Sequence, residues 1–209
     1  MAHLRLSILA SGRGSNFEAI LNHIKQGKLD ASIQVVISNK DLAGALEIAR
    51  QNGIPAIYIS KKEFPGQEQF DEQLVSILNE YQVNFVVLAG YLKMLSPIVV
   101  RKFKNRILNI HPALLPLFGG KGMYGIHVHE AVLEYGCKVT GVTVHLVDEA
   151  YDTGSPVLQR CVPVQDDDTP ETLAARVLKV EHQIYAEALQ LFAQNRIEIV
   201  NRRVKIKPA

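Results

Sequence analysis

The chain has 209 residues, of which 47% are hydrophobic and 21% are charged, as in ordinary globular proteins. A formal net charge of +2 is too small to indicate nucleic acid or an anionic membrane as a partner. Cys137 and Cys161 form neither a CxxC pair nor a zinc-binding spacing, so we expect a reducing compartment, the cytoplasm. The apolar run before Ser11 is too short for a signal peptide or a membrane span, so no membrane partner is expected.

Short apolar runs in the first half of the chain alternate with helical patterns. The predicted strands are 4–11, 32–39, 55–60, 83–90 and 106–111, and the predicted helices are 16–26, 42–52 and 67–81. In the second helix, Leu42, Leu46 and Ala49 form the apolar stripe. This alternation predicts right-handed crossovers and an α/β, Rossmann-like fold, with a mostly parallel central sheet flanked by helices.

The pattern changes after Pro112. A glycine-rich loop at 118–125 leads into a short helix near 128–135, and 170–195 is the longest helical pattern. The alternating runs 138–147 and 156–164 predict a C-terminal antiparallel portion of the sheet. The end of the chain is typical of a hairpin that turns at Asn201 and Arg202. Its basic residues suit a solvated face, with ligand binding as the alternative.

The stretch SGRGSN at 11–16 follows the first strand and opens the first helix, where main-chain N–H groups can hold a phosphate. A dinucleotide fingerprint would need a third glycine three residues after Gly14, and it would need an acid at the end of the second strand. Both are missing, so the sequence indicates a single phosphate, with Gly14, Ser15 and Asn16 as donors and Arg13 as a nearby charge. The alternative is a tight turn in which Ser15 or Asn16 caps the helix.

Asn109 and His111 stand two residues apart in LNIHPALLP (108–116). Residues two apart on a strand share a face, and ligand sites of parallel sheets lie at the carboxyl ends of the strands. An amide N–H can hold a developing oxyanion and a histidine can move a proton, which suits chemistry at a carbonyl. The histidine would need a carboxylate to orient it. The candidates lie in one loop between two strands: Asp148, Glu149 and Asp152.

The alternative is that Asn109 and His111 are ordinary hydrogen-bonded residues at a strand end. His127 and His129 form an HxH motif, but residues two apart on a helix do not share a face. No further ligand lies at a metal-binding interval, so no metal is expected. His145 is interpreted as a strand residue that lines the pocket or the sheet.

Several motifs together resemble those of the phosphoribosylglycinamide formyltransferases, within the wider formyltransferase family, over essentially the whole chain. They are GRGSN, VVLAGYLKML (86–95), LNIHPALLP, VHLVDEAYDTG (144–154) and ARVLKVEH (175–182). The combination of NIHPxLLP with a later D-x-G is specific for this family. The resemblance implies transfer of the formyl group of 10-formyltetrahydrofolate, a co-substrate, to the amino group of glycinamide ribonucleotide. The products would be N-formylglycinamide ribonucleotide and tetrahydrofolate, on the route to IMP in purine biosynthesis.

The resemblance also implies which residues act. The catalytic set would be Asn109, His111 and Asp152; Asp152 is preferred to Asp148 because the family's aspartate comes immediately before x-G. The ribonucleotide would contact Arg13, Gly14, Ser15, Asn16, Leu178, Lys179, Val180 and Glu181. The folate would contact Gln67, Leu92, Lys93, Met94, Leu95, Asn109, Asp148, Glu149, Ala150, Tyr151 and Asp152. We expect one domain, 1–209, with a nucleotide- and phosphate-binding half (1–112) and a folate-binding half (113–209), as a monomer or homodimer.

The chain departs from the family at some positions. Gln67 stands where some bacterial relatives have an arginine that touches the folate, and the loop 117–125 is longer and richer in glycine, so it is a candidate mobile cover. Thr153 and Ser155 change the loop behind Asp152. In the mechanism that the resemblance implies, the amine attacks the formyl carbon while Asn109 and a protonated His111, kept charged by Asp152, stabilise the oxyanion.

Other formyl-group enzymes and one non-enzyme are the alternatives. A formyltetrahydrofolate deformylase would usually carry an N-terminal regulatory domain, for which the first strand, at about residue 4, leaves no room. A methionyl-tRNA formyltransferase would need a C-terminal nucleic-acid-binding domain, so no nucleic acid partner is expected. A nucleotide-binding regulatory module would use the same phosphate loop without catalysis.

Overall fold

The fold comes from a computed structural model that describes residues 3–208. In chain order the elements are β1 (Leu4–Leu9), α1 (Ser15–Lys25), β2 (Ala31–Ser38), α2 (Gly44–Gln51), β3 (Ala56–Tyr58), a 3₁₀ helix (Lys61–Glu63), α3 (Gln67–Glu80), β4 (Phe85–Leu88), α4 (Pro97–Lys102), β5 (Ile107–His111), α5 (Ile126–Glu134), β6 (Val139–Leu146), β7 (Pro156–Pro163), α6 (Pro170–Ala193), β8 (Ile197–Val200) and β9 (Arg203–Ile206). Between residues 3 and 208, no helix combines the length and the apolar character that crossing a bilayer requires.

The central sheet has the strand order β3-β2-β1-β4-β5-β6-β7, and β8 pairs with β9 in a separate hairpin. The first five strands pair in parallel, whereas β6 runs antiparallel to both β5 and β7. This confirms the predicted α/β fold with a mostly parallel sheet and a C-terminal antiparallel portion. The sheet continues across position 112, because β5 and β6 pair through Asn109 and His145.

Helices cover both faces of this sheet, and alternate residues of each strand point into the two apolar layers. In β1, Ile8 packs in the layer beneath α1, α2, α5 and α6, whereas Leu9 packs beneath α3 and α4. Tyr185 of α6 is fully buried, and its hydroxyl lies 3.0 Å and 2.9 Å from the carbonyl oxygens of Leu88 and Leu108. The longest helix is thereby fixed under the strands that lead to the candidate site.

Two details differ from the sequence-based prediction. Leu42 was predicted to face the core but is 92% exposed, because α2 begins only at Gly44. The first turn of α2 packs closely on the loop 11–16: a Cβ at Gly44 would lie 2.9 Å from the carbonyl oxygen of Arg13. The second detail is α4, which the sequence analysis missed; at six residues it is too short to display a helical period.

Candidate active site

The structure brings Asn109, His111 and Asp152 together at the carboxyl end of β5. Asn109 and His111 lie on the strand itself, and Asp152 lies in the loop that joins β6 to β7. Nδ2 of Asn109 is 3.5 Å from Oδ1 of Asp152, and Nδ1 of His111 is 3.7 Å from Oδ2 of Asp152. An amide donor, an imidazole and a carboxylate thus form one cluster, which is the set of groups that acyl transfer uses.

The ring of His111 is buried and both of its nitrogens face oxygen atoms. Nε2 donates a hydrogen bond to the carbonyl oxygen of Phe118 at 2.7 Å, so Nε2 carries the proton and Nδ1 faces Asp152. Burial lowers the pKa of His111, and the opposing influence of Asp152 and the Phe118 carbonyl does not restore its ordinary value. Without substrate, burial thus outweighs the carboxylate and favours the neutral ring, so the predicted charging of His111 by Asp152 stays a prediction for the reaction itself.

His145 belongs to the same cluster, although the sequence assigned it no role beyond lining a pocket or the sheet. It lies opposite Asn109 in the pairing of β5 with β6. Its Nδ1 donates to the carbonyl oxygen of Leu146 at 2.8 Å, so its Nε2 accepts from Nδ2 of Asn109 at 3.1 Å. This contact fixes the orientation of the Asn109 amide. The second N–H of the amide faces Asp152 at a long distance of 3.5 Å, so it can donate to a substrate instead.

Asp152 is held in a backbone conformation that few non-glycine residues adopt, with φ of 53°. The main-chain N–H of Gly120 donates to its Oδ2 at 2.9 Å. Burial raises the pKa of Asp152, but the ring of His145, whose Nε2 lies 3.6 Å from Oδ1, the hydrogen bond from Gly120 and the imidazole of His111 lower it by more, so the carboxyl stays ionised. Two residues on, Gly154 has no room for a Cβ, which would overlap the carbonyl oxygen of Leu146.

The loop that carries Asp152 is fastened at several points. Oδ1 of Asp148 accepts from the hydroxyl of Thr153 at 2.5 Å, so this carboxylate is engaged within the loop. Glu149 pairs with Arg101 of α4 at 2.8 Å on the surface. From the opposite side, Nη2 of Arg202, in the turn between β8 and β9, donates to the carbonyl oxygen of Thr153 at 2.6 Å. The sequence analysis missed Arg202, because the contact spans 49 residues.

The predicted phosphate loop lies beside α6. Gly14 is the N-cap of α1 with φ of 88°, and a Cβ there would lie 2.9 Å from Ala45. The alternative that Ser15 or Asn16 caps α1 is therefore wrong. Nδ2 of Asn16 donates to Oε2 of Glu181 at 2.7 Å, whereas Oδ1 of Asn16 is buried and has no hydrogen-bond partner among the described residues. Two predicted ligand-binding residues that are 165 positions apart are thus in contact.

Glu181 is buried in this contact. Burial raises the pKa of Glu181, and the hydrogen bond from Asn16 only partly opposes the rise. Its predicted companions on α6 differ from it: Leu178 is half-buried, Lys179 is exposed and Val180 packs against the apolar layer. Among these four predicted residues of α6, Glu181 is therefore the one that forms a hydrogen bond with the first turn of α1, through Asn16.

A cleft of about 1110 Å³ opens over the carboxyl ends of β1, β2, β3 and β4. It is called the basic cleft here, after the five cations among its lining residues. These residues are Ser11, Gly12, Arg13, Asn39, Lys40, Asp41, Leu42, Ala43, Gly44, Tyr58, Ser60, Lys61, Lys62, Gln67, Phe70, Tyr91, Lys93 and Met94. Of the predicted folate contacts, Gln67, Lys93 and Met94 line the cleft, Leu92 is exposed beside it, and the side chain of Leu95 is buried in the core.

Residues 4–189 match the family model described as formyl transferase. The chain belongs to the formyl transferase family. The matched region includes the β5 motif, the loop with Asp152 and the phosphate loop, whereas the β8–β9 hairpin lies outside it.

Similar proteins within the formyl transferase family carry more specific names. The chain is 46% identical to the chloroplastic phosphoribosylglycinamide formyltransferase of Vigna unguiculata over 92% of its length and 46% identical to that of Arabidopsis thaliana over 93%. It spans 62% and 67% of the length of these plant relatives. The crystal structure of glycinamide ribonucleotide transformylase 1 from Symbiobacterium toebii superposes with a TM-score of 0.93 at 41% identity, covering 100% of this chain and 96% of that one.

The remaining histidines of this family member lie apart from the candidate site. Between residues 3 and 208, no group of three His, Cys, Asp or Glu side chains is placed to hold a metal ion. The HxH motif divides between two faces of α5: His127 pairs with Glu130 at 2.9 Å on the surface, whereas His129 is buried. This is the arrangement that two residues at positions i and i+2 adopt on a helix.

Proposed function

We propose that this chain transfers the formyl group of 10-formyltetrahydrofolate to the amino group of glycinamide ribonucleotide, a step of purine biosynthesis. The observation that carries the proposal is the cluster of Asn109, His111 and Asp152, joined by distances of 3.5 Å and 3.7 Å at the end of β5. The names of the relatives support it, above all the Symbiobacterium toebii enzyme, whose chain is covered almost completely. The products are N-formylglycinamide ribonucleotide and tetrahydrofolate.

His111 enters the proposed reaction as a neutral ring that carries its proton on Nε2. The Phe118 carbonyl now accepts that proton at 2.7 Å, so the formyl oxygen takes the place of Phe118 when the folate binds. As the amine attacks, negative charge builds on this oxygen, and the proton that the amine loses passes to Nδ1 of the ring. Asp152 faces Nδ1 and stabilises the imidazolium that forms, so the carboxylate acts during the reaction rather than at rest.

Asn109 is the second donor to the oxyanion. One amide N–H of Asn109 donates to Nε2 of His145 at 3.1 Å. The other N–H leaves its long contact with Asp152 and donates to the formyl oxygen. A fixed donor of this kind typically contributes about 3 kcal/mol to transition-state stabilisation. The amine loses a proton and N10 of the folate gains one before the carbon–nitrogen bond breaks, and His111 with Asp152 is the acid–base pair of the cluster.

The ribonucleotide is proposed to lie along the start of α1. Its phosphate accepts hydrogen bonds from the main-chain N–H groups of Gly14, Ser15 and Asn16 at the N-terminus of α1, where Gly14 is left-handed. Arg13 adds a positive charge. On the neighbouring face, Glu181 and the preceding turn (Leu178, Lys179, Val180) flank the sugar, and the unpartnered Oδ1 of Asn16 accepts a hydroxyl proton.

The folate is proposed to occupy the groove between two segments. On one side lie Leu92, Lys93, Met94 and the main chain of Leu95; on the other lie Asp148, Glu149, Ala150, Tyr151 and Asp152. Leu92, Met94 and Tyr151 are large apolar side chains that the protein leaves exposed, as a flat heterocycle requires. Each substrate is thus proposed to contact both halves of the chain, 1–112 and 113–209, and we further propose that the enzyme acts in the cytoplasm as a monomer or homodimer.

The decisive assay follows tetrahydrofolate release by absorbance, with and without glycinamide ribonucleotide. The proposal requires that release depends on the amine and that its rate saturates with it. Equal release in the absence of the amine would identify a hydrolase of the deformylase type instead. Ligand binding without any formyl transfer would identify a regulatory module.

A further inference from the structure

Ser11 lies between the two substrate regions of the proposed function. It follows β1 and opens the loop 11–14, which leads to the proposed phosphate site at the start of α1. Ser11 is buried, with 2% exposure, at the wall of the basic cleft. Its hydroxyl contacts the segment 91–95, which follows β4 and includes residues that the folate is proposed to contact. One small side chain thus touches both regions.

Ser11 joins the ends of three strands by hydrogen bonds. Its hydroxyl donates to Oδ1 of Asn39, after β2, at 2.5 Å and accepts from the main-chain N–H of Leu92, after β4, at 2.9 Å. The main-chain N–H of Ser11 donates to the carbonyl oxygen of Gly90 at 3.0 Å. Because a serine hydroxyl has a single proton, and Asn39 takes it, Ser11 acts on a substrate through its neighbours and not as a donor.

The loop 11–14 has a fixed position relative to α2. The carbonyl oxygen of Gly12 accepts from the main-chain N–H of Ala45 at 3.2 Å. Gly14 and Gly44 are packed so closely that a Cβ on either would lie 2.9 Å from an atom of the facing segment. Such close packing leaves little room for movement. The loop is therefore a rigid reference to which another segment can be fastened.

The segment 91–95 is held less firmly than the loop. It lies between β4 and α4 and belongs to neither. Its apolar contacts are at its two ends, where Tyr91 packs partly against the apolar layer and Leu95 is buried. Among the described residues, the hydrogen bond from Leu92 to Ser11 is the one that the main chain of this segment makes. The position of the exposed residues between its two ends therefore depends on Ser11.

We propose that Ser11 is a positioning residue that sets the distance between the formyl donor and the attacking amine. The ribonucleotide binds at the rigid loop and the folate lies against 91–95, so the Ser11 hydroxyl transmits the position of one site to the other. Without this hydroxyl, the N–H of the exposed Leu92 can donate to water, so the fold survives but the segment is no longer fixed. Reacting atoms must approach to about 3–3.5 Å, and a misplacement of about 1 Å can lower the rate ~10²-fold. The proposal rests on the proposed function and adds a residue to it.

The test measures formyl transfer and substrate binding separately in Ser11→Ala. The rate of a single turnover at saturating substrates is expected to fall about tenfold or more. The Kd of glycinamide ribonucleotide alone and that of the formyl donor alone, measured by calorimetry, are each expected to change less than about threefold. Ser7→Ala is the matched control and is expected to keep the rate, because Ser7 is a fully buried serine of β1 whose hydroxyl has no hydrogen-bond partner among the described residues. Since a thiol is a weaker acceptor than a hydroxyl, the rate of Ser11→Cys is expected to lie between those of the wild type and Ser11→Ala.

The possible results separate positioning from other roles. An unchanged single-turnover rate in Ser11→Ala, or a loss that weaker binding of either substrate alone explains, would overturn the proposal. Equal losses in Ser7→Ala and Ser11→Ala would assign the effect to the packing of β1 and would also overturn it. If Ser11→Ala does not fold, the comparison of Ser11→Cys with the wild type decides by the same criteria. Amine-dependent transfer is measured first in the wild type, so a failure of the proposed function is distinguished from a failure of this inference.

Discussion

The carbonyl oxygen of Phe118 accepts a hydrogen bond from Nε2 of His111 at 2.7 Å. The glycine-rich loop that carries Phe118 also supplies the N–H of Gly120 to Asp152 at 2.9 Å. One loop thus occupies the acceptor position of the histidine and holds its carboxylate partner. In the proposed function the loop must therefore release His111 when the folate binds, which is the role predicted for 117–125 as a mobile cover.

The first prediction concerns the charge of His111. Its pKa is expected to lie below its ordinary value of 6.5 because the ring is buried. Since Asp152 acts to raise this pKa, Asp152→Asn is expected to lower it further. NMR titration of the ring carbons measures both values. A pKa above 6.5 in the wild type, or a rise in Asp152→Asn, would contradict the balance between burial and carboxylate.

The same shift sets a dependence of stability on pH. A histidine whose pKa is lowered by folding binds its proton less readily in the folded state, so its favourable contribution is present above the unfolded pKa and is lost as the pH falls through the folded one. The pKa of Asp152 is also lowered, so its contribution to the free energy of unfolding is likewise lost as the pH falls, in a more acidic range. Denaturant unfolding is expected to give a lower free energy at pH 5 than at pH 7, and a smaller difference in His111→Gln.

The second prediction concerns turnover. His111→Ala is expected to lower kcat by about 10²–10⁴-fold, the usual contribution of a general acid or base. Asp152→Asn is expected to lower kcat by orders of magnitude while both substrates still bind. Steady-state kinetics and calorimetric binding separate the two effects, and His127→Ala, on the outer face of α5, serves as a control. Turnover like that of the wild type in either variant would remove the residue from the mechanism.

The third prediction concerns Glu181. Burial raises its pKa, so the carboxyl contributes stability only below its unfolded pKa and loses that contribution as the pH rises through the folded value. Glu181→Gln keeps an acceptor for Asn16 and removes the buried charge. It is expected to raise Tm at pH 8 by about 2–4 °C and to leave Tm nearly unchanged at pH 4.5, while KM for the ribonucleotide increases. A Tm of Glu181→Gln at pH 8 that is lower than the Tm of the wild type would refute the claim that the buried charge of Glu181 destabilises the fold.

The fourth prediction concerns the hairpin. Arg202 holds the carbonyl oxygen of Thr153, next to Asp152, so Arg202→Ala is expected to lower kcat about fivefold with little change in KM. Added guanidinium ion is expected to restore part of the loss, which a purely structural defect would not allow. Arg203→Ala is the control, since this exposed side chain makes no hydrogen bond within residues 3–208. Equal effects of the two substitutions would exclude the positioning role.

The parts of the site that depend on local chain geometry were predictable. Asn109 and His111 share a face because strand residues alternate, and they sit at the carboxyl edge because Pro112 follows the strand. Gly14 stands at the start of α1 for an equally local reason, its left-handed backbone. Asp152 was one of three candidate carboxylates in its loop, and only the resemblance selected it, because no spacing rule brings a particular loop residue back to β5.

The features that were missed depend on contacts between distant parts of the chain. The position of His145 opposite Asn109 follows from the register of an antiparallel pair, which the sequence does not display. Leu42 is exposed because it precedes α2, which begins at Gly44, and the periodicity of the sequence does not mark that start. The resting charge of His111 depends on how completely the ring is buried, and neighbouring residues in the sequence do not report that.

The central claim is tested most directly by following the formyl carbon itself. Purified protein is mixed with donor labelled with ¹³C at the formyl group and with glycinamide ribonucleotide, and the carbon is observed by NMR. The label is expected in the amide of N-formylglycinamide ribonucleotide, at a rate that His111→Ala reduces by orders of magnitude. Label that appears as free formate, or that reaches the amide equally fast in His111→Ala, would contradict the account.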